Sequence, residues 1–317
     1  MKLYLLAALC AFFVSLIFCG ILLPMLRKLK AGQNVLVYVK EHKNKNGTPT
    51  MGGLAFIPAA LITAALFMRE SNRQAYLTLA VGAAYLLVGF LDDYLKYKHK
   101  ENLGLRARQK LFFQCVIALF VAIFCYRAHL TKLYIPFLNS VLELGIWSIP
   151  FYVFLFLAAV NAVNLTDGLD GLAASTCIPF FLAIGSMLVL QQTDRSQTII
   201  CFSLVGALLA YLLFNVSPAK IFMGDTGSLA LGSLVSCVCT FTGNALYLPI
   251  IGLPFAITVL SVIIQVIYYK VSGGKRIFLM APLHHHFQKR GHSESRISYA
   301  YMLVSAVLGV VCVISIL

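Results

Sequence analysis

Five polar clusters interrupt an otherwise greasy chain, and their residue types suit one kind of chemistry. Asn161, Asn164, Asp167 and Asp170 recur every third residue between two long uncharged runs, with Gly168 and Gly171 where a helix would end. Asp92 and Asp93 stand in tandem at the end of another uncharged run, followed by Lys96, Lys98 and Lys100. Asp225 lies between Gly224 and Gly227, three residues after Phe222 and five after Lys220, with Asn215 further upstream. Lys40, Lys43 and Lys45 lead into Thr48-Pro-Thr50-Met-Gly52-Gly53, and a triple histidine, His284-His285-His286, precedes Phe287.

A carboxylate at the centre of a bilayer costs about 3 kcal/mol on insertion scales, so these clusters belong at a membrane surface, where water, a metal or a ligand can meet them. Carboxylates and lysines on one face suit a phosphorylated ligand that carries a divalent cation. Mg²⁺ takes one or two carboxylates and leaves its other positions to water and phosphate oxygens. Phosphoryl transfer then needs little beyond positioning and charge stabilisation. Zinc hydrolysis would want three protein ligands. Successive histidine side chains diverge, so His284, His285 and His286 suit hydrogen bonds to phosphate better than one ion. On a helix Asp92 and Asp93 point about 100° apart and serve different ends, whereas Asp92, Lys96 and Lys100 share a face. Helix N-termini attract phosphate, which favours Lys45 and Thr50, nearest the glycines, over Lys40 and Lys43. Glycines beside Asp225 would let backbone approach a ligand, and Phe222 is either a platform for a base or an anchor at the membrane surface.

The elements that must position these groups are membrane spans. Sixty per cent apolar residues, 11% charged residues and a mean hydropathy of +0.88 exclude an ordinary water-soluble domain. Uncharged runs occur at 3–26, 46–68, 74–91, 111–126, 144–166, 171–193, 196–219 and 297–317. A longer run, 226–269, holds two spans with a turn at Thr242-Gly243-Asn244, which makes about ten transmembrane helices in a single polytopic domain, 1–317. Only helices satisfy their own backbone in lipid at this hydrophobicity; a barrel would show short alternating segments. The first run exceeds a signal-peptide core and is expected to remain as a span. The nine cysteines all fall in apolar runs and read as small core residues.

Orientation follows from the basic residues. Nineteen of the 25 lie in the stretches 27–45, 92–110, 167–170, 220–225 and 270–296, which also hold eight of the 11 acidic residues. The positive-inside rule makes that face cytoplasmic and sends both termini outward. On the outer side, 133–147 suits a short hairpin turning at Asn139-Ser140, a connector without chemistry.

At five ordered motifs the sequence resembles the polyprenyl-phosphate N-acetylhexosamine-1-phosphate transferases: Thr48 to Gly53, Asp92-Asp93 with Lys96, Asn161 to Ala173, Phe222 to Ser228, and Leu283 to Phe287. The histidines followed by Phe287 favour the muramoyl branch. Gln288 and Gly291-His292 depart from the acidic residue and Gly-Trp pair usual there. The resemblance implies a Mg²⁺-dependent homodimer in the bacterial inner membrane that turns UDP-MurNAc-pentapeptide and undecaprenyl phosphate into lipid I and UMP. It further implies that Asp225 binds the metal and that Asp92 and Asp93 serve the metal or the lipid phosphate, with His284 beside them in the catalytic set. Asn164, Asp167 and Asp170 would hold the nucleotide-sugar, with Phe222 near uracil. Lys45, Thr50, Lys96, Lys100, Asn161, Asn215, His285 and His286 would complete the pocket. The alternatives are a sister transferase using UDP-GlcNAc, and a transporter of nucleotide-sugars or lipid phosphates. A transporter would carry polar groups near mid-span and inverted repeats.

Overall fold

A bilayer offers backbone amides no water, so each uncharged run must close its own hydrogen bonds, and each forms helix over most of its length. The structure, a computed structural model, describes residues 1–29, 47–68, 72–99, 104–138 and 140–317. Its helices are α1 (Lys2–Lys28), α2 (Gly53–Phe67), α3 (Arg73–His99), α4 (Ala107–Arg127), α5 (Ser148–Thr166), α6 (Leu172–Gln191), α7 (Arg195–Asn215), α8 (Gly224–Phe241), α9 (Leu248–Ile251), α10 (Leu253–Val271), α11 (Leu283–Lys289) and α12 (Glu294–Ile314). Among the described residues eight of these are long and apolar enough to cross a membrane: α1, α3, α4, α5, α6, α7, α10 and α12. The chain is an all-α, multi-pass membrane protein. The apolar α2 has only 15 residues, because its uncharged run begins with an extended stretch that reaches the site. The run 226–269 breaks where the turn was expected: α8 ends at Phe241, and Gly243 takes φ +73°.

Helices α6, α7 and α8 form the centre: every residue of α8 from Thr226 to Phe241 is buried, as is most of α6 and α7, whereas α1 and α10 are mostly exposed, with outward faces that suit lipid. α1 packs along α7, α3 along α8, and α12 along α6. Small residues allow the closest approaches: a Cβ added at Gly206 of α7 would lie 1.9 Å from the Ala8 carbonyl oxygen of α1. All nine cysteines are free thiols, and seven are buried.

At one end of the bundle, strands β1 (Lys132–Tyr134) and β2 (Val141–Glu143) pair antiparallel, with Leu133 opposite Leu142. The expected hairpin is present, but it begins at Lys132 and its connection spans 135–140; Asn139 lies outside the described residues. Beside it, Asn72 accepts from the amides of Gln74 and Ala75 and donates to Asp194, which accepts from the amide of Gln197. Two helix N-termini, α3 and α7, are thus capped by side chains bonded to each other. The segments carrying the polar clusters gather at the opposite end.

Candidate active site

Helices α3 and α8 meet closely at this end because α3 carries no side chain at the contact. A Cβ at Gly89 would fall 2.1 Å from the Asp225 carbonyl oxygen. The extended stretch before α2 is stitched to the stretch before α8: Phe222 N donates to Pro49 O (2.8 Å), Gly52 N to Phe222 O (2.8 Å) and Gly53 N to Met223 O (3.1 Å). A Cβ at Gly53 would meet Gly227 N at 2.3 Å. Gly227 therefore serves close approach of backbone to backbone, and Gly224, at φ +71°, leaves room for the Asp93 and Thr50 side chains, where the sequence suggested approach to a ligand.

That packing brings three carboxylates together. Asp92, Asp93 and Asp225 each offer an oxygen, and the three atoms lie within 4.8 Å of one another. Asp93 Oδ2 accepts from Thr226 N (2.9 Å) and Thr226 Oγ1 (2.6 Å), so a buried carboxylate of α3 binds the first turn of α8. Asp92 Oδ1 accepts from Leu105 N (2.8 Å), which fixes the segment entering α4. Asn164 Nδ2 donates to Asp225 Oδ1 (2.6 Å) and to Ser228 Oγ (2.8 Å). Two ammonium groups face the remaining oxygens: Lys96 Nζ lies 2.6 Å from Asp92 Oδ2 and 3.0 Å from Asp225 Oδ2, and Lys110 Nζ lies 2.5 Å from Asp225 Oδ2.

Three carboxylates against two lysines leave one negative charge over. Asp92 Oδ2, although buried and beside Lys96, accepts no aligned hydrogen bond. Hard oxygen donors with a lone pair to spare and a residual negative charge fit a divalent cation of the Mg²⁺ type. Asp92, Lys96, Lys110 and Asn164 form one wall of a cleft of about 750 Å³, whose other walls include Leu105, Leu111, Gln114 and Asn161.

Comparison with known proteins agrees with this geometry. The model of glycosyl transferase family 4 matches residues 74–243, and signature 1 of the phospho-N-acetylmuramoyl-pentapeptide-transferases matches residues 45–57. A phospho-N-acetylmuramoyl-pentapeptide-transferase of Clostridium perfringens is 43% identical over 298 residues, covering 94% of this chain and 93% of the relative. One from Caldanaerobacter subterraneus is 43% identical over 304 residues, 95% of each chain, and one from Listeria monocytogenes is 42% identical over 312 residues, 96% of each. The chain belongs to the phospho-N-acetylmuramoyl-pentapeptide transferase family. It is accordingly an enzyme of peptidoglycan biosynthesis, a membrane-embedded phosphoglycosyl transferase.

Other candidate residues of this family member lie around the cluster. Asp170, buried, accepts from Ala219 N at Oδ2 (3.0 Å), and its amide donates to Glu294 Oε2 (2.9 Å). Asn215, also buried, accepts from Gly171 N (3.1 Å) and donates to Ile221 O (2.9 Å). Together they brace the stretch after α5 against the stretch before α8. Asp167 is half-buried, and burial together with the Asp225, Asp93 and Asp170 carboxylates pushes its carboxyl well above the usual range. Thr50 Oγ1 lies beside Gly224: a Cβ there would meet it at 2.7 Å. His284 is buried beneath Gly168, whose Cβ would lie 2.5 Å from its Nε2. His285 pairs with Gln288 (3.0 Å), and His286 Nδ1 accepts from Leu279 N (3.1 Å). The expected divergence of the three imidazoles holds for His286 alone: the His284 and His285 rings lie 4.4 Å apart between centroids, and both turn Nε2 toward Gly168, because one turn of α11 packs them under the stretch after α5. Phe222 is half-buried. Lys45 and Lys100 lie outside the described residues.

The sequence reading passed over Lys110 and Gln114. Both sit where a charged loop becomes span α4, and Lys110 is one of the six basic residues of 92–110 that set the orientation. Their i, i+4 spacing puts them on one face, the only signal available in the sequence.

Proposed function

We propose that the protein transfers phospho-MurNAc-pentapeptide from UDP-MurNAc-pentapeptide to undecaprenyl phosphate, with Mg²⁺, giving lipid I and UMP at the cytoplasmic face of the bacterial inner membrane. The observation that carries this proposal is the cluster of Asp92, Asp93, Asp225, Lys96 and Lys110, which reaches a cleft through Asp92 and the two lysines, within a chain of this family. An oxygen of the lipid phosphate attacks the sugar-bound phosphorus of the donor. The bond from that phosphorus to the UMP oxygen breaks, and UMP leaves with the electron pair.

Asp225 and Asp92 would hold the cation, which when bound neutralises charge on the diphosphate. Asn164 fixes the rotamer of Asp225, and Asp93 fixes the helix that carries it. Lys96 and Lys110 exchange their carboxylate partners for phosphate oxygens. Asp167 and Phe222, on the frame made by Asp170 and Asn215, receive the nucleotide-sugar. Thr50, Asn161 and the three histidines complete the polar wall, as do Lys45 and Lys100. A phosphate monoester has its second pKa near 6, so the lipid nucleophile is already mostly ionised at pH 7, and a general base would gain only about tenfold. Asp92 therefore acts by charge and orientation. An Asp92→Asn defect that disappears above pH 8 would contradict this, and a phospho-sugar trapped on Asp92 would replace direct attack by a covalent route.

With α2 and α8 counted beside the eight longer helices, the chain makes ten spans in one domain, with both termini on the outer face, and it pairs as a homodimer. The test is UMP release by the purified chain with undecaprenyl phosphate, Mg²⁺ and each UDP-sugar. UMP with UDP-MurNAc-pentapeptide is expected. UMP with UDP-GlcNAc alone would move the protein to the sister activity, and none with either would remove the proposal.

A further inference from the structure

Gln114 lines the cleft, is 1% exposed, and has a side-chain nitrogen that meets no acceptor. Its orientation is set by a chain of hydrogen bonds. Asn161 Nδ2 donates both to the Leu157 carbonyl oxygen (2.8 Å) and to Gln114 Oε1 (2.8 Å). Because a carbonyl can only accept, Leu157 settles which end of the Asn161 amide faces it, and Asn161 in turn settles which end of Gln114 faces Asn161. Flipping either amide would set two oxygens against each other. Gln114 Oε1 is therefore committed and Nε2 is left as a donor. Tyr85, fully buried in α3, donates to the Gln114 main-chain oxygen (3.1 Å) and pins this turn of α4.

A buried donor without an acceptor costs about 1–3 kcal/mol, which a polar partner arriving in the cleft would recover. Gln114 lies one helical turn beyond Lys110 on the same face of α4, and Asn161 lies three residues before Asn164 on the same face of α5. The two amides of α5 thus grip Asp225 on one side and Gln114 on the other. What the lysines and carboxylates collect is phosphate, an acceptor at every exposed oxygen. We propose that Gln114 Nε2 donates a hydrogen bond to a phosphoryl oxygen of the ligand held between Lys96 and Lys110, and that Asn161 is the positioning residue that aims it. This rests on the phosphate-transfer chemistry of the preceding subsection. The phosphate can come from the lipid acceptor or from the diphosphate of the nucleotide-sugar.

Gln114→Glu keeps an oxygen for Asn161 but replaces the donor with a second acceptor facing phosphate. Gln114→Met keeps the length and removes both. UMP release at varied concentration of each substrate gives the two KM values, and thermal unfolding reports folding. The expected result is a KM rise of about ten- to hundredfold for one substrate in Gln114→Glu, as for a lost hydrogen bond to a charged acceptor, and a smaller rise for the same substrate in Gln114→Met. A rise confined to undecaprenyl phosphate assigns the contact to the lipid headgroup; one confined to the UDP-sugar assigns it to the diphosphate. Equal rises for both, or none in a folded variant, overturn the proposal. If the wild-type chain releases no UMP, the transfer reaction is what fails. Binding of undecaprenyl phosphate and of UDP, read by thermal shift, then decides for Gln114: weakening of one ligand supports it, and unchanged binding of both removes it.

Discussion

Replacing Gly89 with alanine adds one methyl group and removes no functional atom, yet it strikes the joint on which the carboxylate cluster depends. The added Cβ would lie 2.1 Å from the Asp225 carbonyl oxygen and 2.7 Å from Thr226 Cα, whereas ordinary contact begins at 3.4 Å. The obstacle is backbone, so it cannot rotate aside, and α3 and α8 must part by roughly 1 Å at that level. Asp92 and Asp93 lie three and four residues beyond Gly89, on the face that α8 covers, so they move apart from Asp225. Overpacking of this kind costs about 1–3 kcal/mol of stability, and a 1 Å misplacement of reacting groups costs about a hundredfold in rate. UMP release by Gly89→Ala should therefore fall by about two orders of magnitude, with a lower unfolding midpoint in detergent. Gly20→Ala is the control, since a Cβ there meets nothing within 4 Å. A folded Gly89→Ala protein with wild-type turnover would refute the argument that close backbone approach sets the cluster.

Three further outcomes follow from the same geometry. Thr226→Val removes the hydroxyl that donates to Asp93 at 2.6 Å; the unfolding midpoint and turnover should both drop, and Thr226→Ser should restore them. Lys110→Gln removes the ammonium 2.5 Å from Asp225, so Mn²⁺ titrated by electron paramagnetic resonance should bind about fivefold tighter or more while turnover falls; unchanged Mn²⁺ affinity would count against the cluster as a cation site. Asp167 has its folded pKa raised, so its protonated form is favoured in the fold. That contribution is complete below the ordinary value of 3.8 and is lost as pH rises through the folded pKa. Asp167→Asn, assayed without divalent cation, should therefore be more heat-stable than wild type at neutral pH, with the gain vanishing at the acid end.

The sequence carried the spans and the gathering of the acidic motifs at one end, because bilayer thickness and charge bias act on composition directly. It carried the pairing of Asp92 with Lys96, which is a matter of helical spacing, but not the contact of His284 with His285, which turn toward the same glycine. Helical spacing separates Asp92 from Asp93 by about 100°, but it does not show that Asp93 binds the first turn of α8. What it hid are contacts across the chain. Nothing near Gly89 or Gly53 announces that the partner is the backbone at Asp225 or Gly227. Asp170 and Asn215 have the residue types of ligand-binding groups, yet each makes backbone hydrogen bonds that brace two loops. Lys110 and Gln114 reach the cleft only because α4 packs against α5, a tertiary fact that local pattern does not encode.

The central claim is that Asp225 and Asp92 hold the divalent cation on which transfer depends. Anomalous diffraction from crystals soaked in Mn²⁺ tests it most directly. The account predicts one strong peak at coordination distance, about 2.0–2.5 Å, from Asp225 with Asp92 beside it, lost in Asp225→Asn. A peak at His284 to His286 instead, or an unaltered peak in Asp225→Asn, would contradict it.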